Sequence, residues 1–121
     1  MIDTDLAAPL WISKPAQLAS MAEQLQRFSQ IAVDTESNSL YAYQEQVCLI
    51  QFSSPEQDYL VDSLALKDLS LLRPIFANPA IEKIFHAAEY DLICLRRDFD
   101  IRPVNLFDTM QAARILGRPA V

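Results

Sequence analysis

The residues best suited to chemistry here are Asp34 and Glu36, separated by Thr35 and following the apolar run Ile31-Ala32-Val33. A short apolar run that ends in an acid fits a central strand, and strand alternation puts Asp34 and Glu36 on one face. Carboxylates held that close repel each other unless a cation or a proton intervenes. Magnesium and manganese take hard oxygen donors, and two such ions roughly 4 Å apart clamp the attacking and leaving oxygens of a phosphodiester. Taken alone, Asp-x-Glu is more often a pair of solvated turn residues, so the pattern needs company.

A second cluster, His86-Ala87-Ala88-Glu89-Tyr90-Asp91, supplies it. This cluster follows the apolar stretch Ile81 to Phe85 and opens a helix, with Asp91 in the first turn or two. The positive end of a helix dipole favours an anion there. The bland alternative has Glu89 and Asp91 merely complementing that dipole and His86 serving as a hydrogen-bonded structural residue. Further on, Asp108-x-x-Gln111 is a capping signature, which assigns Asp108 to a helix N-cap.

These acids need elements to hold them. Trp11 and Ile12 fit a short edge strand. Ser13 is a candidate N-cap, Pro15 suits a first turn, and Leu18, Met21, Leu25 and Phe28 recur at helical spacing, so a helix is predicted from Pro15 to Arg27. Ile31 to Asp34, Gln46 to Phe52 and Tyr59 to Val61 read as neighbouring antiparallel strands. Leu69 to Phe76 fits a helix carrying Pro74 and stopped by Asn78-Pro79. A strand at Ile81 to Phe85, a helix at Glu89 to Phe99, a strand at Val104 to Phe107 and a helix capped by Gly117 complete the pattern. A meander followed by strand–helix alternation gives a mixed sheet flanked by helices, of class α/β.

The 121 residues are 51% hydrophobic and 21% charged, as in an ordinary single globular domain. No apolar stretch approaches the roughly 20 residues that span a bilayer. The acidic start Met1-Ile2-Asp3-Thr4-Asp5 argues against a secretory signal. Cys48 and Cys94 fit no metal or redox spacing and read as buried thiols of a reducing, cytoplasmic protein. A net charge of −6 argues against a broad basic nucleic-acid face, but not against a site that holds phosphates through metal ions. With Gly117 the single glycine, no glycine-rich phosphate loop can be written.

Val33-Asp34-Thr35-Glu36, with Leu40 after it, resembles the first motif of the DEDD-type 3′–5′ exonucleases. Ile84-Phe85-His86-Ala87-Ala88-Glu89-Tyr90-Asp91-Leu92 resembles their second motif, in the His-Ala-x-x-x-Asp form of the ribonuclease D branch. The helix Phe107 to Gly117 and the strands Cys48 to Phe52 and Tyr59 to Asp62 resemble that branch too, so the likeness covers residues 11 to 121. It implies a ribonuclease H-like mixed sheet, here expected to be five-stranded. It implies Asp34 bridging two Mg2+ or Mn2+ ions, Glu36 on one of them, and Asp91 on the second through water. Thr35, Leu40 and His86 are implied substrate contacts, with Leu40 wedged against the terminal base. The implied reaction is water attack at the 3′ end of single-stranded nucleic acid, RNA favoured, releasing nucleoside 5′-monophosphates.

The family's third motif, Tyr-x-x-x-Asp or His-x-x-x-Asp on a later helix, has no match after Asp108. The expectation over residues 1 to 121 is therefore a partial exonuclease domain without its C-terminal helices, inactive or nearly so alone and prone to self-association. Two other readings compete: a non-catalytic module binding nucleic acid or a partner through the same cleft, and a DNA-directed proofreading relative.

Overall fold

The computed structural model describes residues 8–38 and 45–117, and Leu40 lies outside them. Strand β1 (Leu10–Ile12) leads into helix α1 (Pro15–Leu25). Strands β2 (Gln30–Asn38), β3 (Gln46–Ser53) and β4 (Asp58–Asp62) form the expected antiparallel meander. A 3-10 turn (Ser70–Leu72) runs into the short helix α2 (Arg73–Ala77). Strand β5 (Glu82–Phe85), helix α3 (Ala88–Phe99), strand β6 (Leu106–Asp108) and helix α4 (Thr109–Ile115) follow. The spatial order is β1-β4-β3-β2-β5-β6, with β5 parallel to β2 and β6 parallel to β5.

Several expectations need correction. The sheet has six strands rather than five, because Leu10–Ile12 pairs in parallel with Tyr59–Val61 and joins the sheet at its edge. Ser13 does not cap α1: the Gln17 side chain takes the Ser13 and Lys14 N–H groups at 3.0 and 3.1 Å. Strand β2 continues past Asp34 to Asn38 because β3 pairs with it throughout, with an irregularity between Glu36 and Ser37. The helix expected over Leu69 to Phe76 is split, a 3-10 turn before Pro74 and α-helix from Arg73. Pro74 lacks the N–H that an α-helical ladder through it would use.

Alternation sorts the sheet into two unlike faces. Ile31, Val33, Ile50, Phe52, Tyr59, Val61 and Phe85 are buried. They pack beneath α1, α2 and α3, whose Leu18, Leu25, Ile75, Phe76 and Leu95 complete the same core. Phe52 and Phe76 meet with ring centroids 5.8 Å apart. On the opposite face Ala32, Gln51, Leu60 and Ile84 are only half-buried, and Trp11 and Phe107 are exposed. No described helix covers that side, and Asp34 belongs to it.

Lys83 is the exception on the covered face. It is fully buried on β5, and its Nζ donates to the Asn78 and Val104 carbonyls at 2.7 and 3.1 Å. These bonds tie the end of α2 to the segment before β6. Burial pushes the amine below the usual lysine range. The unfolded chain therefore holds the proton to higher pH than the native one, and stability rises with pH across the interval up to the ordinary value near ~10.4. Lys83→Ala is expected to lose about 2–4 kcal/mol in urea unfolding at pH 7, through the cavity and the two unpaired carbonyls. Against Lys83→Met, the parent should gain stability as pH rises towards the ordinary lysine value. An alanine variant as stable as the parent would contradict this role.

Candidate active site

Strand β5 pairs with β2 only over Gln30–Ala32, so beyond Ala32 that edge of β2 is free of its neighbour. The chain turns at His86-Ala87 and enters α3 beside this free edge. Buried residues of α3 recur as Ala88, Asp91, Cys94 and Leu95, so helical spacing aims Asp91 at the sheet. Only 8% of Asp91 is exposed.

Thr35 lies between the exposed Asp34 and Glu36, and alternation turns its side chain to the helix-covered face. Its hydroxyl donates to Asp91 Oδ1 at 2.5 Å. Thr35, which sequence reading had made a substrate contact, thus fixes Asp91 against β2. Asp34 and Glu36 project from the other face of the same strand. Burial raises the Asp91 pKa; the Thr35 hydroxyl lowers it in part, and the negative charge of Asp34 raises it again. The charge of Asp34 thus reaches Asp91 across the strand.

Asp34 and Asp91 are thereby brought into electrostatic reach, and Glu36 stays on the Asp34 face two residues on. Among the described residues, no three side chains of the histidine, cysteine, aspartate and glutamate types converge tightly enough to enclose one ion. The reason is local: Oδ1 of Asp91 is turned to Thr35, while Asp34 and Glu36 emerge on the far side of the backbone. The donor set nonetheless suits a hard cation. It is all carboxylate, and a positive ion between Asp34 and Asp91 would relieve both the burial cost and the repulsion.

His86 is exposed and meets Thr109 Oγ1 through Nδ1 at 2.8 Å. Thr109 Oγ1 donates to the Phe85 carbonyl at 3.2 Å. With its one hydrogen so used, the hydroxyl accepts from Nδ1–H, which leaves Nε2 for a ligand. A shallow depression of the open face joins Ala32, Asp34, Ile84, His86 and Thr109.

Asp108 caps α4 as expected, accepting from Met110 N at 2.9 Å. It also reaches across to α3, accepting from Ala87 N at 2.9 Å and Ala88 N at 2.8 Å. Burial would raise its pKa, but these backbone N–H groups prevail and hold it below the usual carboxylate range. Sequence reading missed this second role. The available signal was that Ala87, at the head of a helix, has no side-chain acceptor of its own. Cys94 is buried as expected, whereas Cys48 is half-buried; both are free thiols.

A family model described as 3′–5′ exonuclease matches residues 9–120. Protein RRP6-like 3 of Arabidopsis thaliana is 46% identical over 111 residues, which is 91% of this chain and 12% of that protein. The exosome complex exonuclease RRP6 of Saccharomyces cerevisiae is 43% identical over 116 residues, 95% of this chain and 16% of that protein. Among solved structures, the catalytic core of RRP6 from Trypanosoma brucei superposes with a TM-score of 0.90 at 36% identity, covering 98% of this chain and 33% of that one. Escherichia coli RNase D, an exoribonuclease involved in structured RNA processing, gives 0.86 at 35%, covering 93% of this chain and 30% of that one. The chain therefore spans under a fifth of these curated relatives and about a third of these solved chains.

The raised Asp91 pKa has a measurable consequence. Above its folded pKa, ionised Asp91 costs stability; the cost fades as pH falls through that value towards the ordinary one near ~3.9. Asp91→Asn keeps an oxygen for the Thr35 hydroxyl and removes the charge. At pH 7 in chelator it should be more stable than the parent by about 1 kcal/mol, and the gap should close near pH 4. Thermal melts check this; a less stable asparagine variant at pH 7 would contradict it.

Proposed function

The chain belongs to the 3′–5′ exonuclease family, and we propose that it hydrolyses the terminal phosphodiester at the 3′ end of single-stranded RNA. The observation that carries this reading is the buried carboxylate of Asp91, held by Thr35 beside the edge of β2 that β5 leaves free and within the field of Asp34. Asp34, Glu36 and Asp91 would hold the divalent ions, Mg2+ or Mn2+. Such ions, when bound, polarise the phosphate and favour hydroxide over water near neutral pH.

The chain's own groups do the rest. Thr35 keeps Asp91 Oδ1 occupied, so Oδ2 is the oxygen that would be left to an ion. Glu36, exposed on the Asp34 face, would take the proton of an attacking water. His86, which lines the same depression as Asp34, would use Nε2 to bond a sugar hydroxyl or a phosphate oxygen of the terminal nucleotide. Leu40, as the base wedge, rests on the family resemblance alone.

RNA as substrate is supported by the relatives: RNase D is named for structured RNA processing, and a Trypanosoma brucei RNase D has been solved with RNA. Free Cys48 and Cys94 support a reducing setting such as the cytoplasm. Trp11, Leu60, Ile84 and Phe107 on the uncovered face support self-association of the 121-residue chain.

The sequence offers no third motif, so the 121-residue chain with manganese and a 5′-labelled single-stranded RNA should trim far more slowly than a complete RNase D. Its products should be a ladder shortened one nucleotide at a time, with nucleoside 5′-monophosphates released. Asp34→Asn and Asp91→Asn should each lower the rate by on the order of 100-fold or more. Trimming that survives both substitutions would remove the assignment.

A further inference from the structure

We infer that Asp108 is a positioning residue for Asp91, acting through the start of α3; the inference rests on the site proposed above. Helix α3 begins without a cap of its own. Ala87 stands at its N-cap with φ 58° and ψ 60°, a left-handed conformation alanine rarely adopts, and offers no side-chain acceptor. The first N–H groups of a helix need partners from elsewhere. Asp108 supplies them from the neighbouring strand, where it is in register with Phe85. One carboxylate oxygen takes Ala87 N and Met110 N, both at 2.9 Å, and the other takes Ala88 N at 2.8 Å. A single charge therefore ties the first turns of two helices together.

Thr109 completes the grip. Its hydroxyl bonds the Phe85 carbonyl and the His86 ring, so residues 108 and 109 hold each of residues 85 to 88. Asp91 is three residues past Ala88, less than one turn along a stiff helix. A tilt at Ala88 would move the Asp91 carboxylate off Thr35 and away from Asp34. With its oxygens engaged by backbone N–H groups, Asp108 is poorly placed to be a ligand itself. Thr35 fixes Asp91 from the strand side and Asp108 fixes it from the helix side.

Asp108→Ser separates the two duties of this carboxylate. The serine hydroxyl can still cap α4, but it is too short to reach Ala87 and Ala88. In the whole protein, Asp108→Ser should weaken manganese binding about tenfold by calorimetry, as loss of a group that orients a ligand commonly does. Asp108→Asn, which keeps the volume and one acceptor oxygen, should weaken it less and remains measurable if serine impairs folding. In an Asp91→Asn background, either change at 108 should have no further effect on manganese affinity. A purely structural role would lower the melting temperature in both backgrounds and leave the manganese affinity of the folded protein unchanged. Parent-like affinity in both Asp108 variants, or equal weakening with and without Asp91→Asn, would overturn the inference. If Asp91→Asn alone binds manganese as the parent does, the site itself falls and the positioning role falls with it.

Discussion

Everything in this chain that bears on chemistry depends on the two-residue period of β2. Ile31 and Val33 turn to the helices and are buried, and Thr35 follows them; Ala32, Asp34 and Glu36 turn the other way. Shifting the strand by one residue would bury two carboxylates and expose two β-branched core residues. That register is held on one side by pairing with β3 along nearly the whole strand, and on the other by three residue pairs with β5. The shortness of the second ladder matters as much as the length of the first. It leaves an edge of β2 against which the first turn of α3 can sit.

At that edge the protein accepts an electrostatic cost. Asp91 is buried, lies within the field of Asp34, and has the Thr35 hydroxyl as its compensating hydrogen bond. Such a group is poorly explained as packing, because an uncharged side chain of the same shape would sit there more favourably. A cation bound beside it, as proposed above, would relieve that cost. The opposite logic governs Asp108, whose charge is fully answered by backbone N–H groups and whose pKa falls below the usual range. The same residue type serves as a strained acid at one helix start and as a satisfied anchor between two helix starts.

Much of this was legible in the sequence. The meander, the strand–helix alternation, the acids on β2 and the place of Asp91 in the first turn of α3 all follow from local period and local signals. What was not legible involves partners far apart along the chain. Leu10–Ile12 had too few residues to show that it would pair with β4. The bond of Thr35 to Asp91 spans 56 positions, and those of Asp108 to Ala87 and Ala88 span 21 and 20. Periodicity carries no information over such distances. Ser13 failed as a cap for a different reason: α1 starts at Pro15 with Lys14 at its N-cap, which leaves Ser13 one residue outside the helix.

The central claim is that Asp34 and Asp91 share a divalent ion at the free edge of β2. Paramagnetic Mn2+ added in small amounts to the isotopically labelled protein would test it most directly, because its broadening of amide signals falls steeply with distance. The account predicts that the first signals lost are those of Asp34, Thr35 and Glu36 together with the first turn of α3, and that this pattern disappears in Asp91→Asn. Broadening centred elsewhere, on the acidic residues Asp98 and Asp100 at the far end of α3 for example, or an unchanged pattern in Asp91→Asn, would contradict it.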